Sequence, residues 1–116
     1  MLNVDETALI EFFECLPEEQ DAEEKEFFDA VHFVVKAEYS ELTFNVSGHF
    51  EDLYVNWCAS GETDPGVQIE LKGIKELDVI RDKPDSDPFL RATDKHGCRV
   101  EIQMKPKLKL RISNSV

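Results

Sequence analysis

Long apolar runs are missing from this 116-residue chain. No stretch approaches the roughly 18 residues that span a bilayer. The start, Met1-Leu2-Asn3-Val4-Asp5, has neither the basic residues nor the apolar stretch of a secretory leader. The expected location is therefore the cytoplasm, with no membrane partner. Glycine and proline number five each, and the chain is 41% hydrophobic. That composition excludes collagen-like, coiled-coil and disordered classes. The three cysteines, Cys15, Cys58 and Cys98, are odd in number, widely spaced and without a Cys-x-x-Cys pair, so they read as reduced, small apolar side chains.

Catalytic motifs are also missing. The sequence contains no Gly-x-Ser-x-Gly, no Gly-rich phosphate loop, no His-Glu-x-x-His and no Gly-x-Gly-x-x-Gly. His32 lies inside an apolar run, whereas His49 and His96 sit in turn-like contexts; all three read as structural or exposed residues rather than as bases. His96-Gly97-Cys98 has no second ligand pair at zinc spacing. Asp82, Asp85 and Asp87 lack the turn glycine and the twelfth-position Glu of a calcium loop. No metal and no cofactor is expected, and the chain is read as a non-enzyme.

Positive charge is scarce in the first half. Residues 1–64 hold seventeen Asp and Glu against Lys25 and Lys36, whereas residues 65–116 hold eight acids against eleven Lys and Arg; the whole chain is −12. Such a balance repels nucleic acid, because phosphate binding requires Lys and Arg to displace counterions. It attracts a basic protein, raising the on-rate by about 10-fold or more at low salt. The densest cluster is Glu18, Glu19, Asp21, Glu23, Glu24 and Glu26. An acidic surface can equally well serve solubility alone.

Hydrophobic periodicity places one α+β domain over residues 1–116, with a helical, acidic segment over 1–26 and a β-rich portion over 27–116. Asn3 with Glu6 has capping-box spacing, and Leu9, Ile10, Phe13 and Leu16 form a helical stripe beside Phe12. Residues 17–26 read either as a second short helix starting at Pro17 or as a mobile acidic loop. From Phe27 the period becomes two. Strands are expected over 27–37, around Leu42-Phe44-Val46, Leu53-Val55-Trp57, Val67-Ile69-Leu71 and Leu77-Val79-Ile80, over Phe89–Thr93 and Cys98–Met104, and around Leu108-Leu110-Ile112. Asp94-Lys95-His96-Gly97 fits a four-residue hairpin turn. The fold expected is an N-terminal helix, or two, packed on a mainly antiparallel sheet of about six or seven strands.

Two surfaces remain for binding. Tyr54 and Trp57 project to opposite faces of one strand, so at most one points into the core, and an exposed Tyr or Trp is a typical interface anchor. The simpler reading puts Trp57 in the core with Leu53 and Val55. In the last strand, Lys107, Lys109 and Arg111 alternate with Leu108 and Leu110, the pattern of a guarded edge that can pair with a second copy.

The order Phe28-Asp29-Ala30, an apolar strand, Leu42-x-Phe44-x-Val46, then Val67-x-Ile69-x-Leu71-Lys72-Gly73-Ile74-x-x-Leu77-x-Val79 resembles small bacterial immunity proteins of polymorphic toxin systems. The resemblance spans residues 27–80. Phe27-Phe28 stands where several of those families have Phe-His, so no histidine role carries over. The resemblance implies an α+β protein that caps a toxin, often a basic nuclease, without chemistry of its own. A non-enzymatic protein-binding module is therefore the leading expectation. A self-associating structural or adaptor subunit comes second, and a small-ligand carrier or enzyme with a sheet-cup pocket third.

Overall fold

A computed structural model describes residues 2–18, 30–37, 39–59, 66–105 and 107–114. It contains one helix, α1 (Glu6–Phe13), followed by eight strands: β1 (Ala30–Lys36), β2 (Ser40–Ser47), β3 (Asp52–Ala59), β4 (Val67–Lys72), β5 (Ile74–Ile80), β6 (Phe89–Asp94), β7 (Cys98–Gln103) and β8 (Lys109–Asn114). The expected single sheet of six or seven strands is instead two four-stranded antiparallel sheets. Sheet A has the order β1-β2-β3-β4 and sheet B the order β5-β6-β7-β8. Alternation at period two tells which side chains share a face, and that pattern is the same whether neighbouring strands belong to one sheet or two.

The two sheets share one core. Val31 and Phe33 of β1 stand with Leu42, Phe44 and Val46 of β2, Leu53 and Val55 of β3, and Ile69 and Leu71 of β4. Sheet B contributes Ile74, Leu90, Ala92, Val100 and Ile102. The chain passes between sheets at Gly73, whose φ of 71° is easily held by glycine. The Gly73 carbonyl accepts from Lys95 N, and Ile74 N donates to Glu51 O at 2.8 Å.

Helix α1 differs in detail from its sequence reading. Asp5, not Asn3, is the N-cap: its side chain accepts from Ala8 N at 3.1 Å. The helix ends at Phe13 because Glu14 turns left-handed, with φ 56°. Leu16 is consequently outside the apolar stripe and 76% exposed, whereas Leu9, Phe12 and Phe13 are buried. Phe13 lies 5.0 Å from Phe33 and 5.1 Å from Phe44 between ring centroids. These tilted aromatic contacts fasten α1 to the inner side of sheet A. Pro17 and Glu18 are not helical. The rest of the suggested second helix lies outside the described residues.

The hairpin reading of Asp94–Gly97 holds. Asp94 Oδ1 accepts from both His96 N and Cys98 N at 2.9 Å, and Gly97 takes φ 85°. The buried carboxylate thus replaces two ladder bonds that the turn leaves open. No helix among the described residues is long and apolar enough to cross a membrane.

Two outcomes follow from this packing. Phe44 is fully buried at the meeting of helix and sheet, so Phe44→Ala is expected to lose about 3–5 kcal/mol in urea unfolding; a loss below ~1 kcal/mol would contradict the shared core. The Cys15 thiol is held above its ordinary value by desolvation first and by the Glu18 carboxylate second. It should therefore react with iodoacetamide at pH 8 more slowly in the native protein than in urea, the difference shrinking as pH rises past 9. Equal rates at pH 8 would contradict that environment.

Candidate functional site

At one end of sheet A, strand register sets Val35, Leu42, Trp57 and Val67 side by side on the inner face. Core residues of sheet B do not fully cover this row. Trp57 is only half-buried and Val67 is 38% exposed. Across from it runs the β7–β8 connection with Met104 and Leu108. Between them opens a cleft of about 430 Å³, lined mainly by Val35, Leu42, Trp57, Met104 and Leu108, with Tyr39 and Lys107 also on its wall. Tyr39 is 78% exposed. An apolar cleft with a large indole on its floor and a phenol at its rim suits the insertion of an apolar or aromatic side chain from a partner.

The cleft explains the position of Trp57. It belongs to the core face with Leu53 and Val55, as the simpler reading has it. Near the strand end, however, that face is open, so the indole is both core and cleft. Tyr54 lies on the outer face of sheet A, opposite to the side on which Phe13 packs. Its hydroxyl donates to Asp52 at 3.5 Å. Partial burial, followed by the Asp52 and Glu70 carboxylates, raises the phenol above its ordinary value. Tyr54 and Trp57 therefore do not form one site.

Among the described residues, the acids of α1 and its flank have few internal partners. Glu14 pairs with Lys105, which bonding to that carboxylate raises above the usual lysine value. Glu6, Glu11, Glu18 and Glu41 have no ion-pair partner among the described residues. Glu18 is exposed, and its backbone N donates to His32 O at 2.7 Å, along the edge of β1. Glu19, Asp21, Glu23, Glu24 and Glu26 lie outside the described residues.

The edge candidates divide. β8 is the terminal strand of sheet B, but it begins at Lys109. Lys107 and Leu108 precede it and line the cleft. Lys109 and Arg111 share the outer face of sheet B, with Leu110 turned to the inner one. A two-fold β8–β8 pairing centred on Arg111 would set like charges opposite each other, which opposes that form of dimer.

Sequence reasoning did not single out Tyr39 or Met104. The available signal for Tyr39 was a large aromatic residue in a polar turn between two apolar strands. For Met104 none was available, because its partners come from the other sheet. His32 Nε2 is buried without a hydrogen-bond partner among the described residues. His49 and His96 are exposed in turns. Among the described residues, no three His, Cys, Asp or Glu side chains gather as a metal site.

No protein-family model matches this chain, and no curated protein matches it. Among solved structures, the fold matches a chain of a contact-dependent growth inhibition toxin–immunity protein complex from Klebsiella pneumoniae 342. The TM-score is 0.79 at 16% identity, over 97% of this chain and 95% of the other. The match thus runs over nearly the whole length of both chains.

Proposed function

We propose that this chain is an immunity-type protein that binds a toxin and blocks it by occlusion, with no chemistry of its own. The observation that carries the reading is the end-to-end fold match to a chain of a toxin–immunity complex. Such a complex has chains of two roles. The immunity role is supported by the resemblance in residues 27–80 and by Glu6, Glu11 and Glu18, which have no ion-pair partner among the described residues and can steer a basic toxin. The acidic segment Glu18, Glu19, Asp21, Glu23, Glu24 and Glu26 adds to that attraction.

Occlusion divides into two physical parts. The unpaired carboxylates act at a distance, raise the encounter rate and are screened by salt. The cleft acts at contact: a side chain entering beside Trp57 and Tyr39 loses its water on an apolar wall, which lowers the rate of escape. Neither part requires a bond to be made or broken. The toxin is stopped because its working surface is covered.

The proposal expects a toxin domain encoded beside this chain in its own genome, and the test is co-expression with that domain. The intact chain should restore growth. Tyr39→Ala should weaken binding by about 10-fold or more, equivalent to ~1.4 kcal/mol, while changing unfolding stability by less than about 0.5 kcal/mol because the side chain is exposed. Failure of the intact chain to restore growth or to bind that domain would overturn the proposal. Full rescue with unchanged affinity in Tyr39→Ala would move the contact away from the cleft.

A further inference from the structure

We infer that the outer face of sheet B, over β6 to β8, docks an acidic stretch of a protein partner. Register builds this face in three rows: Phe89, Gln103 and Lys109; Arg91, Glu101 and Arg111; Thr93, Arg99 and Ser113. Over β6 to β8, four cations therefore stand with one acid, Glu101, while Glu76 and Asp78 of β5 and Asp82 beyond it border them, on a chain whose net charge is −12. Arg91 is held in place, lying over the Phe89 ring at 5.3 Å and reaching Glu101 at 3.4 Å. That pairing spends the charge of Glu101. Arg99, Lys109 and Arg111 have no ion-pair partner among the described residues.

A further observation points to an occupant. A depression of about 400 Å³ opens on this face, with the cations Arg91, Lys109 and Arg111, the acids Asp82 and Glu101, and Phe89 and Gln103 in its wall. The Arg91–Glu101 pair leaves Lys109 and Arg111 as its free cations among the described residues.

Spacing and charge pattern favour protein over nucleic acid. Lys109 and Arg111 are two residues apart on one strand, roughly 6.8 Å, which is also the repeat of alternate side chains in an extended peptide. Carboxylates at every second position can therefore meet both. The flanking strand β5 places Glu76 and Asp78 on the same face, paired with Thr93 and Arg91. A uniform polyanion would be repelled there. A protein segment can instead set its acids over β7 and β8 and neutral or basic residues over β5. This surface is distinct from the cleft, and the inference does not rest on the toxin-binding reading.

The probe is a fluorescein-labelled peptide of alternating Glu and Thr, about nine residues long so that it spans the sheet, titrated with the full chain by anisotropy. Binding is expected at ~20 mM salt and should weaken about 10-fold at ~200 mM, where screening is strong. The double variant Lys109→Glu with Arg111→Glu should lose about 10-fold or more, and Lys36→Glu, on the other sheet, should bind as the original does. If the charge-reversed protein is unfolded by circular dichroism, Lys109→Gln with Arg111→Gln replaces it, with the same direction expected. No binding by the original chain at low salt, or equal binding by a folded face variant, would overturn the inference. So would tighter binding of a single-stranded RNA of equal charge, which would make the face a nucleic-acid site.

Discussion

Gly73 is the single residue between β4 and β5, and there the chain leaves one sheet for the other. Its positive φ, its carbonyl bond from Lys95 and the adjoining Ile74–Glu51 bond form the corner of the molecule. Without that corner the apolar faces of the two sheets would not oppose each other. Leu71 and Ile74, on either side of it, are both buried in the shared core. The row Val35, Leu42, Trp57 and Val67 lies at the end of sheet A where β1 and β3 finish, and there the inner face is left open. The β7–β8 connection runs past the row Val35–Leu42–Trp57 there without sealing it. The cleft is thus a consequence of how the sandwich is folded, and α1 does not fill it because it packs through Phe13 onto Phe33 and Phe44.

Charge is distributed by the same division. The first half of the sequence builds α1 and most of sheet A and holds the acids; the second half builds sheet B and holds most of the cations. Among the described residues, few ion pairs join the two. Glu14 with Lys105 is one bond across that division, while the other described ion pairs, Lys72–Glu70 and Arg91–Glu101, are each local to one sheet. Among the described residues, α1 carries unpaired carboxylates and the outer face of sheet B carries unpaired cations, so the proposed partner would meet opposite fields at the two places. Exposed pairs and screened charges add little to fold stability. Their consequence is for encounter and orientation.

Much of the secondary structure was legible in the sequence. Alternation in Leu42-Phe44-Val46, in Leu53-Val55 and in the last three strands gave strand identity and inward faces correctly, and Asp94–Gly97 was readable as a turn because Asp and Gly each have a specific backbone role there. Partition into two sheets was not legible. Lys72-Gly73 looks like ordinary punctuation, and only the long-range Ile74–Glu51 and Lys95–Gly73 bonds make it a corner. The helix cap was misplaced because Asn3 and Asp5 are both good caps, and the choice between them is made by where Phe12 and Phe13 must point. For the site, Trp57 was singled out but its setting was not. Tyr39 and Met104 escaped notice because a cleft between sheets is set by tertiary geometry, to which local pattern is blind.

The most direct measurement is hydrogen–deuterium exchange of the chain alone and mixed with the toxin domain that the proposed immunity role requires. The account predicts added protection in the complex at residues 35–42 and 104–108, the two walls of the cleft, with little change in the buried strands of sheet A that are already protected. An exchange pattern identical with and without the toxin domain, or protection confined to surfaces far from those two segments, would contradict it.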